Sequence, residues 1–216
     1  MRKALLRVLW AVAVYAALTL CALAAVNLYA KEVLPFYRWE LGWIAPEYDV
    51  QQFDVDRARG DLAFDVLATN RGYLYLIDRV VPPRSLAFRV HLLVMRGLEH
   101  TVMLLFVPLA WPGLGWKQRA VALAWAIPIL CLVEFVDLPW VMVGGFDQIK
   151  SRAFQTSDSL PMVWSQIEET GGSLALGLAG GGLACQMPAI FENSRLRKLR
   201  RGKSGKRPAS RKRARL

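Results

Sequence analysis

The twenty-three residues between Arg7 and Lys31 carry no charged side chain. A run of this length and apolarity fits a bilayer, whose roughly 30 Å of hydrocarbon is crossed by about 20 apolar helical residues. Three further stretches are mostly apolar over similar lengths: Leu98 to Trp116, Ala120 to Val143 and Gly171 to Phe191. Four crossings predict an integral membrane protein, mainly α-helical. The first stretch has features of a signal peptide, with Met1-Arg2-Lys3 as its basic start and Ala22-Leu23-Ala24 resembling a cleavage site. Its apolar core outruns the roughly 7–15 residues of such segments, and Leu20 stands where a lipobox wants a small residue before Cys21. Residues 1–30 are therefore read as an uncleaved anchor.

Charge fixes the expected orientation. The chain carries 28 basic and 17 acidic residues, a formal +11, and residues 192–216 hold twelve of the basic groups against one acidic. A basic protein of this kind invites a nucleic-acid reading. The distribution argues against it: the body is neutral, and no aromatic residue follows Phe191 to stack on bases, so no specific nucleic-acid partner is expected. Arg2, Lys3 and Arg7 precede the first span, Lys117 and Arg119 lie between the second and third, and the tail follows the fourth. With four crossings all three sets fall on one side, which the positive-inside rule makes cytoplasmic for both termini. Tyr29, Tyr37, Trp39, Trp140 and Trp164 would then form an outer aromatic belt, with Trp111 and Trp116 at the inner interface. In the tail, Arg195, Arg197, Lys198, Arg200 and Arg201 are placed to meet anionic lipid, at about 1 kcal/mol per charge near the surface. The glycines, serines and proline interleaved beyond them predict disorder over 192–216.

Residues 31–97 lie between the first two spans and predict a small β-rich extracytoplasmic domain. Lys31 to Pro46 has Leu34, Tyr37 or Arg38, and Leu41 at helical spacing, which suggests a short amphipathic helix on the outer leaflet. Alternation then takes over: Val50, Phe53 and Val55; Leu62, Phe64 and Val66; Tyr73, Tyr75 and Ile77; Leu86, Phe88 and Val90. Turn residues at Arg59-Gly60, Asn70-Arg71-Gly72 and Pro82-Pro83 separate these runs, the pattern of a four-stranded antiparallel meander. A sheet this small is marginal alone and would lean on the helices or on a partner. The last run has a second option, continuing as helix into the second span. Residues 98–191 then hold three spans with one external loop.

Few residues are suited to chemistry. Glu134 and Asp137 share one face of the third span near its outer end, and Arg96 and His100 stand at the start of the second, so the four can form one polar cluster. A carboxylate within a span is costly and marks either a pathway or a paired charge. Structural pairing, contact with a partner or substrate, and catalysis are all open to this cluster. Cys21, Cys131 and Cys185 all lie within spans, far from either histidine in sequence, and offer neither a disulfide framework nor a zinc spacing. No metal or phosphate-loop motif occurs, and no cofactor follows from the sequence. Ser173, Gly177, Gly181 and Cys185 recur every four residues, a small-residue face for close packing against a helix of the same chain or of a partner.

Ala110-Trp111-Pro112, Asp137-Leu138-Pro139, a β-rich exported segment and a glycine-rich final span occur here in an order that resembles the exosortase H-associated membrane proteins. Gly171-Gly172-Ser173 opens the final span where that family has a Gly-Gly-Gly-Arg-like run. The resemblance covers about residues 1–190. It implies a small bacterial inner-membrane protein with a non-catalytic, accessory role in sorting exported proteins. Its partner would be a sortase-like integral membrane enzyme or the exported client, met by the external domain, with the glycine face docking a partner helix. Two alternatives follow from the residues alone: a structural subunit of another envelope or transport assembly, and a small membrane enzyme using Arg96, His100, Glu134 and Asp137.

Overall fold

A computed structural model describes residues 2–58, 61–75 and 80–204. The chain is mainly helical. Helix α1 runs from Arg2 to Ile44 and leads into strands β1 (Tyr48–Ala58) and β2 (Asp61–Asn70), then β3 (Leu74–Tyr75), β4 (Val80–Val81) and β5 (Ala87–Leu93). Helices α2 (Val94–Ala110), α3 (Trp116–Phe154), α4 (Leu160–Glu169) and α5 (Gly172–Ser204) follow.

Three helices are long and apolar enough to cross a membrane: α1, α3, and α5 as far as Phe191. Their exposed surface agrees, with Leu5, Leu6, Val8, Leu9, Val12, Leu20 and Leu23 of α1 all turned outward, as side chains facing lipid would be. This is the makeup of a membrane protein. The expected four spans are corrected to three candidates. The second apolar stretch, expected over Leu98 to Trp116, folds as the 17-residue α2. That helix begins early, straight out of β5, and stops at Ala110, where Pro112 and a left-handed Gly113 (φ 96°) turn the chain.

The expected break after residue 30 is also absent. The anchor and the amphipathic segment form one helix, with Pro35 inside it. Proline in a helix interior costs about 3 kcal/mol. Here the residues beyond it hold the helix, because Tyr37, Leu41 and Ala45 are buried in the main core with Phe53, Phe64, Val66 and Phe88 of the strands. Leu138, Met142 and Phe146 of α3 close that core from the other side. The sheet thus leans on the protruding ends of α1 and α3. A helix of 39 residues is about 59 Å long, far more than the hydrocarbon needs.

The four-stranded meander is corrected as well. Among the described residues the sheet has three strands in the order β1-β2-β5, all antiparallel, and β3 pairs with β4 in a separate two-residue ladder; Ile77 of the expected third run lies outside the described residues. Asn70 accounts for the rearrangement. Its buried side chain donates to the carbonyls of Gly72 and Pro82 at 2.8 Å each and accepts from Leu86 N–H at 3.0 Å. These bonds draw β3 and β4 aside and bring β5 directly against β2. Strand β5 then passes into α2 without a loop.

The loop expected after Val143 is helical: α3 continues to Phe154, and α4 follows, capped by Ser159 accepting from Met162 N–H at 3.2 Å. Tyr48 ties β1 to this region through a 2.6 Å bond to Asp147, which Ser159 also bonds. Burial, and then that bond, raise the Tyr48 phenol above its ordinary range. In the tail, backbone helix continues through Ser204, which corrects the expected disorder over 192–204; residues 205–216 lie outside the described residues. The side chains of Arg195, Arg197, Lys198, Arg200 and Arg201 also lie outside them.

Candidate functional site: a buried histidine–carboxylate cluster

Glu134 stands 18 residues into α3, about 27 Å from its start at Trp116, near one hydrocarbon thickness. Four donors from two other helices converge on its carboxylate. The Tyr29 hydroxyl of α1 donates to Oε2 at 2.7 Å, and the Tyr37 hydroxyl donates to the same oxygen. These hydroxyls lie 3.0 Å apart, brought to one side of α1 by their eight-residue spacing, two helical turns. On Oε1, His100 Nε2 lies at 3.0 Å and the Thr101 hydroxyl at 3.2 Å, its one proton shared with the Gly97 carbonyl at 3.3 Å.

The imidazole links this carboxylate to a second. His100 is fully buried, and its Nδ1 faces Asp137 Oδ2 at 3.5 Å, within ion-pair reach but without an aligned hydrogen bond. Asp137 in turn accepts from Trp164 Nε1 of α4 at 3.0 Å. Glu168, on the same short helix, is buried beside Gly172, and its Oε1 has no hydrogen-bond partner among the described residues. The network therefore joins α1, α2, α3 and α4. Glycine makes room for it: a methyl group on Gly97 would stand 2.7 Å from the Tyr29 hydroxyl and 2.6 Å from Leu138 Cδ1.

Of the four residues expected to cluster, the structure brings His100, Glu134 and Asp137 together and leaves Arg96 outside. Arg96 precedes His100 by one turn, but its half-buried side chain faces a cleft beside β5 and has no ion pair among the described residues. Tyr29, Tyr37 and Trp164, expected in an outer belt, are interior partners of the two carboxylates, with Tyr37 fully buried. The sequence reading missed Tyr29, Tyr37, Thr101, Trp164 and Glu168 as cluster members. A usable signal was present for the tyrosines in their spacing, which sets two hydroxyls on one face of an apolar helix.

Chemically, the cluster holds no serine or cysteine nucleophile. Cys21 and Cys131 are exposed on the bundle surface, and Cys185 is buried on α5. Among the described residues no three His, Cys, Asp or Glu side chains converge as a metal-holding set. Glu134 has both oxygens engaged by its own chain. What the arrangement can do is fix four helices in register and store protons on adjoining acidic and basic groups.

The small-residue face is occupied within the chain, which corrects the expectation that it docks a partner helix. A methyl on Gly177 would meet Met103 Cβ at 2.6 Å and the carbonyl oxygen of His100 at 2.8 Å, and one on Gly181 would meet Val107 Cβ at 2.6 Å. Ser173 and Cys185 are buried on the same face. Helix α5 therefore lies backbone-close on α2 and braces the turn that carries His100. Comparisons with protein-family models, with curated proteins and with solved structures find no match to this chain.

Proposed function

We propose that this protein is a non-catalytic accessory component of a bacterial exosortase-type sorting system, seated in the inner membrane and presenting its sheet to an exported client or a membrane enzyme. The observation that carries the non-catalytic part is the engagement of Glu134. A carboxylate with Tyr29 and Tyr37 on one oxygen and His100 on the other, and with Thr101 shared between it and the Gly97 carbonyl, is engaged on both sides by its own chain and acts as a clamp. The link to sorting rests on the sequence resemblance.

The membrane frame has separate support. Trp10 donates to the Leu109 carbonyl at 3.2 Å, and the rings of Trp125 and Phe191 lie 5.7 Å apart, so the start of α1, the α2–α3 turn and the end of the apolar part of α5 share one end of the bundle. Arg7, Lys117 and Arg119 lie toward that end, away from the sheet, and α5 continues past it as far as Ser204. A cytoplasmic location for that end and an exported sheet accord with the positive-inside rule. Trp10 and Trp39 are 29 residues apart on α1, about 44 Å, matching the roughly 40–45 Å of a bilayer with its headgroups. Helix α2, about 26 Å long, is shorter than that depth and stands at the lower limit for a further crossing. The tail residues Arg195, Arg197, Lys198, Arg200 and Arg201 would then rest on anionic lipid.

Affinity purification from native membranes in mild detergent, with mass spectrometry, tests the reading. Stoichiometric recovery of a multi-span enzyme supports it, and recovery of this chain alone sinks it. A catalytic reading draws on one observation, the unaligned His100 Nδ1 and the free Glu168 Oε1 inside the cluster. It would gain if His100→Ala abolished activity while Glu134→Gln, at equal membrane level, did the same.

A further inference from the structure

A cleft of about 410 Å³ opens beside the sheet, and all five residues from Arg89 to Leu93 line it. Successive side chains of a strand point to opposite faces, so a cavity touching five in a row lies along the strand's edge. Strand β5 is at the edge of its sheet, paired only with β2. Outside that ladder and the start of α2, whose N-cap is Leu93, no further backbone bond to it is found among the described residues, which leaves alternate residues before Leu93 with an outward N–H and C=O. The opposite wall is helical: Val141, Gly145, Gln148 and Ile149 of α3 and Ser165 and Glu169 of α4. Gly145 packs against Val90 so closely that a methyl there would meet it at 2.9 Å, which fixes the strand's distance from the helix. The floor of this groove is about 44 Å from the start of α3, beyond the hydrocarbon.

The charges differ along the groove. Arg89 and His91 both face Asp65, the former as a bonded pair and the latter at 3.4 Å. Arg96, at the end where β5 becomes α2, is the lining cation that faces no carboxylate within ion-pair distance among the described residues. We infer that this groove binds an extended peptide segment by strand addition to β5, with an anionic group of that peptide, its C-terminal carboxylate or an acidic side chain, seated on Arg96. Five residues of edge offer about 13–17 Å of pairing at roughly 3.3 Å per residue, enough for a peptide of four or five residues. Backbone bonds would supply most of the contact, and Val141 and Ile149 would take alternate apolar side chains. This inference deepens the proposal that the sheet meets an exported client and rests on it.

The test uses the full chain purified in detergent and fluorescent pools of five-residue peptides with apolar residues at alternate positions. Each pool is made as the free acid, as the C-terminal amide, and with alternate backbone amides N-methylated. Binding of the free-acid pool is expected, with a loss of tenfold or more on N-methylation, which removes peptide donors and leaves the protein intact. Amidation should weaken binding several-fold, and Arg96→Gln should abolish the difference between acid and amide. Equal binding of N-methylated and free pools, or no binding by any pool, overturns the inference. So does displacement by short-chain phosphatidylglycerol in the absence of peptide binding, which would make the cleft a headgroup site. Peptide binding with no co-purifying enzyme leaves this inference standing and fells the sorting-system reading. An enzyme that co-purifies equally with the Arg96→Gln protein, with no peptide bound, does the reverse.

Discussion

Near the sheet, α1, α2, α3 and α4 meet through hydrogen bonds on Glu134 and Asp137; farther along, α2 and α5 meet through Gly177 and Gly181, with no side-chain hydrogen bond or ion pair between them among the described residues. The first contact is directional and tolerates one arrangement of side chains. The second relies on the closeness of two backbones and on dispersion, the usual means of association where lipid removes the hydrophobic drive. The two converge at His100, whose ring serves the polar clamp while its carbonyl lies under Gly177. A polar network at one boundary specifies register, and a glycine face then allows the fifth helix to close over it.

Breaking the polar side should have the largest effect. Glu134→Ala strips four donors of their acceptor and leaves His100 buried beside Asp137 with one partner lost. Removal of one member of a buried charge pair costs about 3–5 kcal/mol. Thermal unfolding in detergent should fall accordingly, and Glu134→Gln should recover part of the loss, since it keeps the shape and one acceptor. A melting point for Glu134→Ala equal to the parent's would show that the clamp does not hold the helices.

Breaking the glycine side should cost less per site but should act on a different helix. A methyl on Gly177 meets backbone atoms of His100, which cannot swing away as a side-chain tip can. Overpacking of this kind costs about 1–3 kcal/mol. Gly177→Ala should therefore destabilise, and Gly177→Leu should expose the α2–α5 seam to cysteine labelling at Cys185, which is buried in the parent. Gly182→Ala, with open space around the added methyl, is the control and should be silent.

The contrast also explains what the sequence made legible. Long uncharged runs dictate long helices, so α1, α3 and α5 could be read directly, and the costly placement of Glu134 and Asp137 within such a run pointed to a cluster. Helix α4 was missed although Ser159 and Pro161 mark a helix start, because the flanking chain lacks a long apolar period. The continuity of α1 through Pro35 and the order β1-β2-β5 depend on partners distant in sequence: the core under Tyr37 and Leu41, and the three bonds of Asn70. Arg96 shows the limit of spacing arguments. It lies one turn from His100, yet its side chain faces the β5 cleft instead of the carboxylates.

A third perturbation sharpens the comparison by adding stability. Glu40 is fully buried where α1 meets the sheet, and neither carboxylate oxygen has a hydrogen-bond partner among the described residues. A buried polar group without a partner costs about 1–3 kcal/mol. Glu40→Met, close in volume, should raise the melting temperature by a change worth about 1–2 kcal/mol. A fall in stability would mean that Glu40 has a bonding role comparable to that of Glu134.

The smallest effect belongs to the sheet, where the buried Asp65 carboxylate pairs with the half-exposed Arg89 guanidinium. Hydrogen bonding to Arg89 holds the Asp65 carboxyl below its ordinary value of 3.8. A carboxyl depressed on folding adds stability that is fully present above its unfolded value and is lost as pH falls through the folded one. The parent should therefore exceed Asp65→Asn slightly at neutral pH, and the gap should close on acidification below about pH 4. Because the guanidinium is open to solvent, salt should narrow the gap too, whereas the loss caused by Glu134→Ala should hardly respond to salt. Melting curves of the three proteins across pH 3–7 at low and high ionic strength read both dependences at once. An Asp65→Asn deficit that persisted at low pH and high salt would erase the distinction between a pair with a solvent-open partner and the enclosed helical network.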